Sequence, residues 1–262
     1  MSKPFVTEVI VSASGVVVIG SRGPRTRVWF RVPSATRFYE VALTYDPPTG
    51  SPAALLPDGR LLVVGRKGES MLLREGRSPN PGPVLRDVTL DGVSSTLVAF
   101  APGPRLFRYA EGAWVDESPA APAAGPRTVA AVGDGFAVGA DGDCWVAAAG
   151  GWKKTKVKTT ASLRCAAGAW AGGEGVVLER LPKSFRVHEV TGTVSAICPW
   201  KKGALLVIGG ALFDLEGARV KAPAQCTSIG SHGDFVALIA NGSLYESTDA
   251  KRWTRKALPK MR

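Results

Sequence analysis

Acid–base, nucleophilic or metal chemistry requires titratable side chains beside partners at short, fixed spacing. The chain holds two histidines, His188 in the strand-like segment Phe185–Val190 and His232 in the turn Ser231–Asp234, and neither has a Ser, Cys or second ligand at motif spacing. The four cysteines, Cys144, Cys165, Cys198 and Cys226, form no CxxC pair and have no His at ligand spacing, so neither a zinc site nor a redox motif is indicated. Cys165, Cys198 and Cys226 recur in equivalent apolar segments and read as packing residues. The acidic residues stand in turn settings, as in Asp58-Gly59, Asp91-Gly92, Asp134-Gly135 and Asp141-Gly142-Asp143, where Asp bonds its own backbone. Gly150-Gly151 and Gly172-Gly173 precede strand-like segments, so the helix N-terminus that cradles a phosphate is missing. Catalytic residues, metal ligands and cofactor sites are therefore all assigned as none.

What the chain does concentrate is positive charge. It has 33 Lys and Arg against 22 Asp and Glu, a formal net charge of +11. One cluster is Trp152-Lys153-Lys154-Thr155-Lys156-Val157-Lys158, continued by Arg164, Lys183, Arg186, Lys201 and Lys202. A second joins Lys251, Arg252, Arg255, Lys256, Lys260 and Arg262 at the end of the chain to Arg22, Arg25, Arg27, Arg31 and Arg37 near its start. Some of these lysines suit the solvated edge of a sheet, where charge blocks aggregation. As a binding surface they suit an acidic protein partner, with nucleic acid as the alternative. Trp152 and Trp253 flank the basic runs, where they would pack between sheets or, on the nucleic-acid reading, stack bases. The Pro-rich runs 78–83 and 118–126 read as connectors.

The elements that must position these charges come from a repeated phrase. Apolar runs begin at Val16, Leu61, Leu97, Phe136, Val176, Leu205 and Phe235, about 37 residues apart. Most follow a Gly-containing turn: Ser14-Gly15, Asp58-Gly59, Asp91-Gly92, Asp134-Gly135, Glu174-Gly175, Lys202-Gly203 and Gly233-Asp234. A second apolar segment then returns, as in Val28-Trp29-Phe30 or Leu244-Tyr245. Runs with apolar residues at every position suit strands covered on both faces. The expectation is one all-β domain over residues 1–262, a seven-bladed β-propeller of mostly four-stranded antiparallel blades. The fifth blade offers only three clear strands between Leu163 and Val190, and closure rests on packing the seventh blade against the first.

The segment Asn241–Thr254 carries Ser247, Asp249 and Trp253 at the spacing of the Asp-box hairpin, with Ala250 where a Gly is usual. It resembles the sialidase-like Asp-box propellers of bacteria. In that family the box is structural: the Asp caps the turn and the Trp packs between strands. The resemblance implies fold and carries no catalytic assignment. A sialidase would need an arginine cluster, a Tyr nucleophile and acidic partners around the channel, which the sequence does not assign.

No run approaches the roughly 18 apolar residues of a membrane span, and residues 1–8 contain no apolar signal core. A cytoplasmic, non-enzymatic interaction module is the expectation, an adaptor or accessory subunit for an acidic protein. Its composition resembles that of free-standing propellers in bacterial multi-protein operons, including defence and toxin-immunity systems. An Asp-box glycan binder or hydrolase and a nucleic-acid-binding rim are the alternatives.

Overall fold

The computed structural model describes residues 5–22, 25–74, 77, 79–103, 105–119, 129–139, 141–149 and 151–259. Among them there is strand and turn but no helix. The first sheet is β1 (Phe5–Ser12), β2 (Gly15–Arg22), β3 (Arg25–Arg31) and β4 (Tyr39–Ala42), in that order. The second is β5 (Ala53–Leu55), β6 (Leu61–Val64), β7 (Ser70–Leu73) and β8 (Asn80–Pro81). The third is β9 (Gly92–Val93), β10 (Val98–Ala101), β11 (Arg105–Ala110) and β12 (Ala113–Asp116). The fourth is β13 (Val129–Gly133), β14 (Phe136–Gly139), β15 (Cys144–Ala148) and β16 (Gly151–Thr155). Next come β17 (Leu163–Ala167), β18 (Trp170–Arg180), β19 (Phe185–Trp200), β20 (Gly203–Ile208) and β21 (Ala211–Asp214) in one sheet. The last is β22 (Cys226–His232), β23 (Phe235–Ala240), β24 (Ser243–Ser247) and β25 (Thr254–Lys256).

The seven separate blades expected from the repeat are thus corrected to six sheets, five of four strands and one of five. The fifth and sixth repeats share β19. Its first part, Phe185–Glu189, pairs with β18, and its second, Val194–Trp200, pairs with β20. The two parts are continuous through Thr191-Gly192-Thr193, where Gly192 kinks the strand with φ +97. β18 is also irregular. It bends at Glu174-Gly175, where Gly175 has φ +70, and Arg180 N comes back to donate to Ala169 O at 2.7 Å. Glu174-Gly175 therefore does not open the first hairpin of its repeat, a place taken by Gly168-Ala169. Asp91-Gly92 is displaced likewise: Gly92 lies in the inner strand β9, and the turn comes at Ser95-Thr96. Ser78 and residues 120–126 of the Pro-rich runs, with Gly150, lie outside the described residues.

The core lies between neighbouring sheets. β6 shows why its run is apolar throughout: Leu61 and Val63 join the cluster shared with the first sheet, while Leu62 and Val64 join the cluster shared with the third. Alternation along a strand feeds two interfaces at once. Trp29 and Phe30 divide in the same way, Trp29 toward the last sheet and Phe30 toward the second.

First and last sheets close the ring without sharing a strand. Val6, Val9, Val16, Val18, Trp29 and Phe38 pack against Ala237, Ile239 and Leu244. Three polar ties cross this seam, one of them the backbone bond from Val6 N to Gly242 O at 3.3 Å. The Ser228 hydroxyl accepts from Val9 N at 3.1 Å and donates to Val9 O at 3.4 Å. Arg31 Nη2 donates to Glu246 Oε1 at 2.8 Å, with the Glu246 side chain only 8% exposed, and Lys256 Nζ lies 3.6 Å from its other oxygen. On the other side of β1, Glu8 reaches the Ser51 side chain ahead of β5, and burial pushes its carboxyl up to about 7 despite that hydrogen bond.

Two outcomes follow. Glu246→Ala strands Arg31 without its partner and should cost about 3 kcal/mol in urea unfolding, whereas Lys256→Ala should cost less than about 1 kcal/mol because its pair is half-exposed. Glu8 is favoured in its protonated form by folding, so its contribution is complete below its ordinary value of 4.5 and lost as pH rises through about 7. The melting temperature should accordingly fall between about pH 4.5 and about pH 7 and level off above that, and Glu8→Gln should flatten the fall.

Candidate functional site

Antiparallel alternation places the turn between a sheet's first and second strands at the same end as the turn between its third and fourth. Neighbouring sheets keep this orientation. Asp134 N donates to Gly168 O at 2.7 Å, a Cβ on Gly168 would strike the Pro199 ring, and the Ser231 hydroxyl donates to Pro199 O. The inner hairpins of these sheets are therefore gathered at one end of the ring. Lys201 and Lys202 form the β19–β20 turn there, and Lys251 and Arg252 lie in the β24–β25 connection. Lys183 joins them, because the Arg180–Ala169 bond brings the β18–β19 turn to the same end.

Other expected cations go elsewhere. Lys156 and Lys158 follow β16 at the opposite end, and Arg25 opens β3 there. Lys153 and Lys154 lie on the rim strand β16, across from Val146 and Trp145. Arg27, Arg255 and Lys256 lie along outer strands, while the Arg22 side chain, Lys260 and Arg262 lie outside the described residues. The run Trp152–Lys158 thus climbs the rim from one end to the other instead of forming one surface.

Several of these charges are spent inside the molecule. Arg27 pairs with Glu40 at 3.7 Å, Lys154 with Asp143 at 2.5 Å, Arg186 with Glu179 at 3.0 Å, and Arg252 with Asp249 at 3.7 Å. Arg255 donates to the Ser243 hydroxyl at 2.9 Å. Among the described residues, Lys153, Lys156, Lys158, Lys183, Lys201, Lys202 and Lys251 make no ion pair, and all seven are exposed. Lys201 is also unusual in its backbone, with φ +52. Gly15, Gly59, Gly135, Gly168 and Gly233 take the positive φ in other inner hairpins. Leu97, φ +63, is the other exception, and its side chain packs on the core between the second and third sheets. Lys201 has no such burial; its ammonium stands over Trp200, 5.9 Å from the ring centroid. Holding a side chain in this region costs about 1 kcal/mol.

The residues that suggested chemistry serve structure. Asp249 Oδ1 accepts from the amides of Arg252 and Lys251 at 2.8 Å each and from the Ser247 hydroxyl at 3.0 Å, which holds its carboxyl at about 2. Ala250 has φ +54, the conformation for which Gly is the cheaper residue. Trp253 packs beside the cluster between the five-stranded and last sheets, and its Nε1 donates to Lys221 O at 2.9 Å. Trp152 is 4% exposed, between the third and fourth sheets, and offers no face for a base. His188 Nε2 lies 3.1 Å from Glu179 Oε2 and its ring lies against Trp170, while His232 is exposed in its turn. Burial raises the thiols of Cys144, Cys165 and Cys198 to about 12, and that of Cys226 upward. Among the described residues no three His, Cys, Asp or Glu side chains converge as metal ligands. Two shallow clefts lie between sheets, one lined by Thr96, Arg108, Glu117 and Trp152, the other by Lys158, Glu174 and Glu189, and neither includes a Tyr. Sequence reasoning passed over Glu8, whose signal is an acidic residue inside an inner strand, and Glu246, which looks like any strand carboxylate.

No protein-family model matches the chain, and no curated protein matches its sequence. Solved structures do match its fold. PorZ, an essential bacterial surface component of the type-IX secretion system of Porphyromonas gingivalis, superposes with a TM-score of 0.62 at 12% identity over 99% of this chain. Raptor of Chaetomium thermophilum gives 0.62 at 12% identity over 99% of this chain. BBS1N, solved in complex with ARL6DN, gives 0.57 at 11% identity over 82% of this chain and 83% of its own. The chain spans 39% of the PorZ chain and 28% of the Raptor chain. Likeness at such identities is one of fold. By that measure and by its own sheets, the chain is a β-propeller.

Proposed function

We propose that this propeller is a non-enzymatic interaction module, an adaptor or accessory subunit that binds an acidic protein partner. The carrying observation is the set of exposed lysines without ion pairs, held on turns and edges of a closed ring in which cations such as Arg31, Arg186 and Lys256 are held in internal pairs. Exposed charge of one sign speeds encounter with an opposite surface and fixes its orientation. BBS1N was solved in complex with another protein and PorZ is a component of a secretion system, which supports protein association as the general class of function. Buried thiols raised far above neutrality are poor nucleophiles, which favours binding over catalysis. Four free cysteines suit the reducing cytoplasm, and we place the protein there, within a bacterial multi-protein assembly. Nucleic acid is the weaker reading, because Trp152 and Trp253 are committed to packing.

The test is recovery of the tagged full chain from its native host, with and without nuclease, at about 50 and about 150 mM salt. The proposal expects a stoichiometric protein that survives nuclease and is diminished at the higher salt; recovery of nucleic acid alone would reject it. In parallel, native protein at neutral pH should take up a thiol reagent far more slowly than unfolded protein. Rapid stoichiometric labelling of one cysteine would reopen the enzyme reading.

A further inference from the structure

Four unpaired lysines meet at the end of the ring that carries the inner hairpins: Lys183 and the Lys201–Lys202 turn on the five-stranded sheet, and Lys251 on the last sheet. Arg252 stands beside Lys251 and is 94% exposed despite its 3.7 Å approach to Asp249. Against Lys183, Lys201, Lys202, Lys251 and Arg252 stand the carboxylates of Asp234 and Glu216, of Asp249, which is paired with Arg252, and of Asp134 on the abutting hairpin, so cations still outnumber carboxylates along the arc. The opposite end differs. There Lys158 shares its cleft with Glu174 and Glu189, which offset its charge locally.

The Lys201 backbone also differs from those of the adjacent inner hairpins. A turn that accepts positive φ is built most cheaply with glycine, and the hairpins on either side, at Gly168 and Gly233, are built that way. Leu97 recovers its cost by packing, whereas the Lys201 side chain is exposed. Exposed Asp87, Glu111, Gln225 and Asn241 take positive φ as well, so what distinguishes Lys201 is a strained cation standing among the other unpaired lysines of this end.

We propose that this end of the propeller is the docking face, that its occupant is an extended acidic segment of a partner protein, and that the Lys201–Lys202 turn anchors it. The proposal rests on the interaction-module reading and gives it a location. Lysines on separate turn tips are point charges at the ends of flexible stems, suited to a carboxylate-bearing chain laid across them and not to bidentate clamping of one group. The arc offers no free aromatic platform on which bases would stack, since Trp200 is half-buried beneath Lys201.

The probe is a fluorescein-labelled polyglutamate peptide of roughly ten residues, titrated into the full chain at low salt and followed by anisotropy, with an oligouridylate of equal charge as competitor. Lys201→Gly should raise the melting temperature by about 2 °C while weakening peptide binding about fivefold. Lys202→Gln, which leaves the strained position alone, should weaken it by a similar factor, and Lys67→Gln in the β6–β7 turn at the opposite end should leave it unchanged. Equal losses from both ends, undiminished binding by Lys201→Gly, no peptide binding, or stronger binding of the oligouridylate would each overturn the assignment. The two proposals fail separately: a partner recovered from the host equally well by wild-type and Lys201→Gly protein would keep the interaction module and remove this face.

Discussion

The seam between the first and last sheets is the constraint on which the rest of the structure depends. A ring of sheets buries every apolar strand face only if its two ends meet. Here they meet with no strand shared between them. Apart from the single backbone bond from Val6 N to Gly242 O, side chains must then do what strand pairing would otherwise do. Trp29 and its valine neighbours supply the apolar contact, Ser228 satisfies both backbone groups of Val9 across the gap, and Arg31 with Glu246 ties the outer part of the seam. Without that contact, Val6, Val9, Ala237 and Ile239 would face water together, a loss felt by the whole ring and not by one sheet.

Closure also fixes what the protein can present. Inner hairpins of successive sheets touch at one end, as the Asp134–Gly168 and Ser231–Pro199 bonds show, so turns distant in sequence become neighbours on a rigid surface. Charges on those turns act as a set because the scaffold prevents them from drifting apart. The same rigidity allows Lys201 to stay in a left-handed conformation that an isolated hairpin would relax. Cations on the strands have a different fate: Arg27, Arg31 and Arg186 stand beside carboxylates on neighbouring strands or sheets and are drawn into pairs that hold the fold. Location in the ring, more than residue type, separates binding charges from structural ones.

Much of this was legible in the sequence. The repeat gave away the all-β propeller, most of its hairpins, and the double-faced burial of runs such as Leu61–Val64, because strand periodicity and glycine turns are local signals. The count of separate sheets was not legible. Thr191-Gly192-Thr193 carries the residues of a turn yet only kinks the strand, with Gly192 at φ +97, so two repeats merge through β19. Of the candidate site, the lysines were visible and their grouping was not. Trp152–Lys158 reads as one patch but climbs the rim, whereas Lys183, Lys201 and Lys251 are separated in sequence and share an end because consecutive sheets keep one orientation. Ion pairing is a tertiary property for the same reason: nothing near Arg31 in the chain announces Glu246.

The most direct test of the central claim is hydrogen exchange of the native protein, comparing amides of β1 with those of β22 and β23. A ring closed by packing and a few hydrogen bonds across the seam makes both sides open together, so amides of β1 such as Val9 should exchange no faster than those of β22 and β23. Rapid exchange throughout β1 while β22 and β23 remain protected would show an open ring, and would contradict the account of how this propeller holds its docking face together.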